Sequence, residues 1–170
     1  EESAVAFQLG GELDQFLFFP FLLSSSTSTP ADPAPPSGPA EEVLAIENQE
    51  RAQAGCAPLT MDANLRVAAQ LHSEDMAHND FFSHTGSNGS RFTERIRAQG
   101  YSYRSAGENI AARLNSADSV MNQWMNSSGH RANILNCNFT EIGIGYETIS
   151  PDTGSVNYRH YWTQVFARPR

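Results

Sequence analysis

From Val43 onward apolar residues recur at helical spacing, and toward the C-terminus they switch to a period of two. The first periodic stretch, Glu41 to Ala54, carries Val43, Leu44 and Ile46 and meets a natural stop at Gly55. A second helix is predicted from about Asp62 to Asn79. There Leu65, Ala68, Ala69, Leu71, His72 and Met76 share a stripe, and Asp62 is placed to accept hydrogen bonds from the first turn. A shorter helix fits Ser90–Gln99 before Gly100, and a fourth fits Ser116–Asn126 with Val120, Met121 and Trp124 facing inward. Ile142, Ile144 and Tyr146 then alternate with Gly143, Gly145 and Glu147. A turn at Pro151–Gly154 leads into a second alternating run, Val156–Ala167. Helices followed by a hairpin predict an α+β fold, with helices packed on an antiparallel sheet.

Composition divides the chain into three parts. Residues 1–23 alternate apolar with small or polar positions (Val5, Phe7, Leu9) and end in the run Phe16–Leu23. Residues 24–40 hold 7 Ser or Thr and 5 Pro, a linker composition that cannot build a core. Residues 41–170 carry the periodic segments and are expected to form the domain. Phe16–Leu23 is far too short to span a bilayer and follows carboxylates, the wrong flank for a signal peptide. It nevertheless carries too much apolar area to stand alone in water. Three dispositions fit: folding back on its own domain, docking on a neighbouring subunit, or anchoring to another surface protein. Head-to-tail docking would build an oligomer, or an open filament if the rotation does not close.

All 11 basic residues are Arg, and 9 of the 19 carboxylates lie in residues 1–50, where there is no Arg. The net charge of −8 thus belongs to the N-terminal third. No basic stripe exists, which argues against nucleic acid as a partner. The absence of Lys removes Schiff-base chemistry, and no GxSxG, HExxH, Walker or GxGxxG motif occurs. Cys56 and Cys137 stand far apart and outside any CxxC setting. Two readings fit them: one disulfide in an exported protein, or two buried thiols. A disulfide closing a loop of ~80 residues would stabilise the fold by about 4 kcal/mol in the chain-entropy model. The chain begins Glu1-Glu2 rather than Met, as expected of processed, exported material.

The remaining chemistry sits in a few strings: Phe82-Ser83-His84-Thr85-Gly86, Ala106-Gly107-Glu108-Asn109-Ile110, Ser127-Ser128-Gly129-His130-Arg131-Ala132-Asn133 and Tyr161-Trp162-Thr163-Gln164-Val165-Phe166. With Asn48-Gln49-Glu50-Arg51, Gly55-Cys56-Ala57-Pro58-Leu59 and Ala68–Met76, they occur in an order that resembles the CAP superfamily: cysteine-rich secretory proteins, antigen 5 and pathogenesis-related 1 proteins. Within it they resemble the bacterial SCP-like branch, over about residues 41–168. The resemblance implies a three-layer α-β-α sandwich and a secreted or periplasmic location. It also implies a cavity gathering two His and two Glu able to bind a divalent ion such as zinc or magnesium. His84 and Glu108 match the first of each. Ser127 stands where the second glutamate is expected, and Tyr161 where the second histidine is expected. His160 falls one residue early and so should face the other side of its strand. His130 is offered in compensation, giving an expected cluster of His84, Glu108 and His130 with Tyr161 as a hydroxyl neighbour.

Two imidazoles, a carboxylate and a water would satisfy tetrahedral zinc, but the same groups could share hydrogen bonds with no metal. His72 and His78, six apart on a helix, read as packing or surface residues; Trp124, Phe139, Trp162 and Phe166 read as core. Three functions compete. A binding or structural module assembling through residues 1–23 ranks first. A binder of lipid or another small hydrophobic ligand is the alternative implied by the family. A hydrolase ranks last, because none of Ser83, Ser127 or Ser128 sits in a recognisable nucleophile setting.

Overall fold

A computed structural model describes residues 38–170, so the arm at 1–23 and most of the linker at 24–40 lie outside the described residues. Five helices and four strands follow in the order α1 (Pro39–Gln53), β1 (Thr60–Met61), α2 (Ala63–His78), α3 (Phe92–Ala98), β2 (Tyr103–Ala112), α4 (Ala117–Met125), α5 (Ser128–Ile134), β3 (Glu141–Thr148) and β4 (His160–Pro169).

Local chemistry explains the helix starts. Pro39 sits in the first turn of α1, where its missing N–H costs nothing, and Glu41 and Glu42 face the positive end of the helix dipole. Asp62 caps α2 by accepting from the amides of Asn64 and Leu65, both at 2.9 Å. Ser116 does the same for α4 through the Ser119 amide, as its place before the periodic stretch predicts. In α3 the Glu94 side chain reaches back to the Arg91 amide at 2.8 Å.

The sheet order is β1-β3-β4-β2. The predicted hairpin is present as antiparallel β3 and β4, and β2 closes the other side of β4, also antiparallel. The two-residue β1 departs from the expected antiparallel sheet by pairing in parallel with β3. Helices cover both faces, giving the α-β-α sandwich. On one face α2 lies directly on the strand backbone. A methyl on Gly143 would fall inside the backbone of Leu65, and one on Gly145 would come within 2.5 Å of Ala69. These glycines let the α2 layer settle close enough for Leu65, Ala68 and Ala69 to bury against Val165 and Ala167. On the other face Val43, Val120, Met121 and Trp124 pack with Phe139, Ile142, Ile144, Trp162 and Phe166. The aromatic residues read as core are core.

Arg51 is fully buried at the end of α1 and binds four backbone carbonyls. Its Nε donates to Ala57, Nη1 to Ile134 and Asn136, and Nη2 to Phe139, at 2.7 to 3.1 Å. The disulfide Cys56–Cys137 joins the same two segments, with Cα atoms 4.9 Å apart. One cation and one crosslink thus fasten the α1–β1 and α5–β3 connections.

One turn before Arg51, Glu47 is also fully buried and accepts from Gln164 Nε2 at 2.7 Å. Burial pushes its pKa from 4.5 up to about 8, against the opposing pull of Arg51. A carboxyl whose folded pKa is raised contributes stability that is fully present below the unfolded value and is lost as pH rises through the folded one. Relative to Glu47→Gln, which keeps the bond to Gln164, the wild type should therefore lose melting temperature between about pH 5 and about pH 9. Parallel melting curves for the two proteins across that range would contradict the buried-acid assignment.

Candidate functional site: a buried glutamate answered by arginine and histidine

β2 places alternating residues of one string on opposite faces. Gly107, Glu108 and Asn109 each do a different job, which explains why they stand together. Glu108 pairs across the ladder with Val165 and shares its α2-covered face. Its side chain is 1% exposed. A carboxylate so withdrawn from water needs a partner for each oxygen, and it has both. His84, in the segment between α2 and α3, brings Nδ1 to Oε1 at 2.8 Å. Arg95, on α3, brings Nη2 to Oε2 at 2.7 Å.

The partners are themselves held. Arg95 donates to the carbonyls of Ser90 (2.8 Å) and His84 (3.1 Å), so one guanidinium bridges α3, the loop and Glu108. Asp75 on α2 accepts from the Ser87 amide at 2.9 Å and the Ser87 hydroxyl at 2.6 Å. Burial pushes the Asp75 carboxyl upward, but the bonds from Ser87 outweigh it and hold the group below its usual range. His72, fully buried on α2, donates Nε2–H to the Ser83 carbonyl at 2.9 Å, which leaves its buried Nδ1 without a partner among the described residues. Burial lowers the His72 pKa, the nearby Glu108 charge opposing. Its neutral form is therefore the one the fold accepts.

Asn109 faces the other way. Its Nδ2 donates to the His130 carbonyl and to Gln164 Oε1, both at 3.1 Å, and its Oδ1 accepts from Asn133 Nδ2 at 2.8 Å. Gln164 passes the chain on to Glu47. Gly107 leaves room for Asn133, whose Oδ1 would lie 3.1 Å from an added methyl. The Gly-Glu-Asn string and the His130–Asn133 string are thus two halves of one buried hydrogen-bond chain that docks α5 on the sheet.

Of the four side chains expected to cluster, the structure joins His84 and Glu108 directly. His130 stands on α5, where burial, and secondarily the charge of His84, lowers its pKa. Its Nδ1 is buried without a hydrogen-bond partner among the described residues rather than joined to Glu108. Tyr161 shares the face of Glu108 but pairs with Ala112, four positions along the ladder and roughly 13 Å away. Its hydroxyl is taken by Asp152 at 2.7 Å. Burial, and secondarily the bond to Asp152, push the Tyr161 pKa up to about 12. His160 faces the other side, as the alternation predicts, with Nδ1 2.7 Å from the Tyr146 hydroxyl. Ser127 precedes α5 and supplies no carboxylate. Sequence reasoning missed Arg95 altogether. The available signal was its place three residues after Phe92 and beside Ile96, an arginine on the inward stripe of a helix.

This donor set does not fit a metal. Both Glu108 oxygens are occupied, and the positive charge that a divalent ion would supply is already supplied by Arg95. Among the described residues no three His, Cys, Asp or Glu side chains converge to hold an ion. Among the described residues Glu108 is bonded to His84 and Arg95, and His130 Nδ1 makes no hydrogen bond. What remains chemically available is His84 Nε2: the Nδ1–H bond to Glu108 fixes the tautomer, and the ring is 55% exposed. Among the described residues no hydroxyl or thiol is hydrogen-bonded to it.

The fold, the disulfide and these strings define a cysteine-rich secretory protein domain. The chain belongs to that family, CAP, whose model matches residues 44–166. The Bacillus subtilis protein YkwD is 38% identical over 148 residues, covering 86% of this chain and 54% of YkwD. A solved extracellular protein containing a SCP domain, from Bacillus anthracis, superposes with TM-score 0.68 at 30% identity, over 83% of this chain and 45% of that one. A solved outer surface protein of Borrelia burgdorferi shares the fold, with TM-score 0.67 at 19% identity, over 75% of this chain and 90% of its own. The chain spans about half the length of the two Bacillus proteins.

Titrating zinc or magnesium ions into the protein by calorimetry should give heats of dilution only, for the wild type and for His84→Ala alike. A saturable one-site isotherm in the wild type, lost in His84→Ala, would restore the metal site.

Proposed function

We propose that the chain is an exported CAP binding and structural module without catalytic machinery, and that it self-associates through residues 1–23. The observation that carries the first half is the saturation of Glu108 by Arg95 and His84. The site's one buried carboxylate serves as a fastening and leaves no free acid to pair with the His84 base. A disulfide suits an oxidising compartment outside the cytosol, and one relative is described as extracellular. Among the described residues no helix is long and apolar enough to cross a membrane.

The second half rests on sequence. In Phe16–Leu23 every position but Pro20 is Phe or Leu, and a Pro- and Ser-rich linker follows. Burying each Phe or Leu is worth about 1.5–3 kcal/mol, enough to hold such a segment on a neighbouring copy. Repeated head to tail, the contact would produce an extracellular filament or sheath.

Light scattering on the full chain and on a variant lacking residues 1–37 tests this reading. The full chain should show a mass that grows with concentration, and the shortened chain should remain monomeric with its melting temperature within a few degrees. Equal masses for the two would contradict self-assembly through the arm.

A further inference from the structure

Among the described residues, the three non-glycine residues held at left-handed φ, Asp80 (59°), Arg113 (74°) and Arg159 (65°), all border one patch of surface. Backbone strain of this kind persists only where the surroundings enforce it. Here Asp80 accepts from the amides of Ser155 (2.9 Å) and Val156 (2.7 Å), while Asp152 accepts from the amides of Tyr158 (2.9 Å) and Arg159 (2.8 Å). The two carboxylates are consumed in shaping the loop between β3 and β4. The Arg113 amide donates to the His160 carbonyl at 2.9 Å, which fixes the end of β2 against the start of β4.

What this shaping presents is an aromatic and guanidinium surface. The Arg113 guanidinium carbon lies 4.2 Å from the centre of the Tyr158 ring, and Phe82 meets the same ring edge-on at 5.7 Å. Phe82 is 39% exposed, one of three large apolar side chains so exposed among the described residues. The Arg113 and Arg159 side chains are exposed, and among the described residues neither guanidinium pairs with a carboxylate; that of Arg159 donates to the Ser150 hydroxyl, at 3.2 Å. Stacking on Tyr158 holds the Arg113 fork in one plane, so little side-chain freedom is lost when it grips a planar acceptor.

We propose that Phe82, Tyr158, Arg113 and Arg159 form a binding platform for a uronate-type, carboxylate-bearing glycan. A guanidinium fork pairs with a carboxylate through two parallel hydrogen bonds, and the exposed Phe82 offers the C–H face of a sugar ring an apolar contact. A ligand carrying both features on one unit uses the whole patch, whereas an acidic peptide uses only the arginines. The platform is independent of the Glu108 fastening and goes beyond the module reading, since it names a ligand class.

The test is calorimetric titration of the full chain with trigalacturonate, maltotriose and tri-glutamate, at low and at high salt. Trigalacturonate should bind, more weakly at high salt, and maltotriose should not. Arg113→Gly should weaken binding by at least about tenfold, with the melting temperature kept within a few degrees because glycine accepts the left-handed backbone. Phe82→Ala should weaken it severalfold. No binding of trigalacturonate, or binding unchanged in both variants, would overturn the proposal. Equal binding of tri-glutamate would overturn its glycan half and leave a bare carboxylate site.

Discussion

A carboxylate held at 1% exposure is the demand that organises this site. Left alone, the Glu108 charge would be several kcal/mol too costly for the fold to carry. The chain meets that cost from two directions, an arginine on a short helix and an imidazole on the loop before it. Neither partner could reach Glu108 unless α3 and the loop lay where they do, and that explains the fastenings around them: Asp75 on the Ser87 turn, His72 on Ser83, and Arg95 on the carbonyls of Ser90 and His84. The cluster that the family's strings present as a place for an ion is, in this chain, a joint between three elements.

That joint in turn depends on how closely α2 lies on the sheet. Gly143 and Gly145 remove the side chains that would prop the helix away, so the backbone of Leu65 and Ala69 rests on β3. Ser73 then reaches Thr163 at 2.9 Å, and the end of α2 delivers the loop over β2. On the opposite face the polar chain from Asn133 through Asn109 and Gln164 to Glu47 performs the corresponding task for α5 and α1. A single three-residue string, Gly107-Glu108-Asn109, serves both faces because neighbouring positions on a strand point in opposite directions.

Much of this architecture is legible from periodicity. The helical stretches α1 to α4, the caps at Asp62 and Ser116, and the hairpin of β3 and β4 all announce themselves through spacing. β2 does not. Helices cover both its faces, so residues 107–111 are all buried and no alternation appears. α5 carries Ser128 and Gly129 in its first turn and only Ala132 and Ile134 as apolar side chains, too polar a segment to show a stripe. The second arm of the hairpin begins at His160 rather than Val156, because Asp80 and Asp152 draw the preceding residues into a loop. At the site, the family's strings point to Glu108 and His84. Arg95 shares the inward stripe of α3 with Phe92 and Ile96, but that stripe does not show which carboxylate it answers. The shortfall at Ser127 and Tyr161 is visible in sequence, but not that a guanidinium supplies the charge instead.

Arg95 is the counter-ion of Glu108, and a double-mutant cycle with Arg95→Met and Glu108→Gln measures that relation directly. Each single change strands a buried charge or its partner and should cost about 3–5 kcal/mol, while the double change should cost far less than their sum. Unfolding free energies that simply add would show that the two side chains do not answer one another, and the central claim would fall.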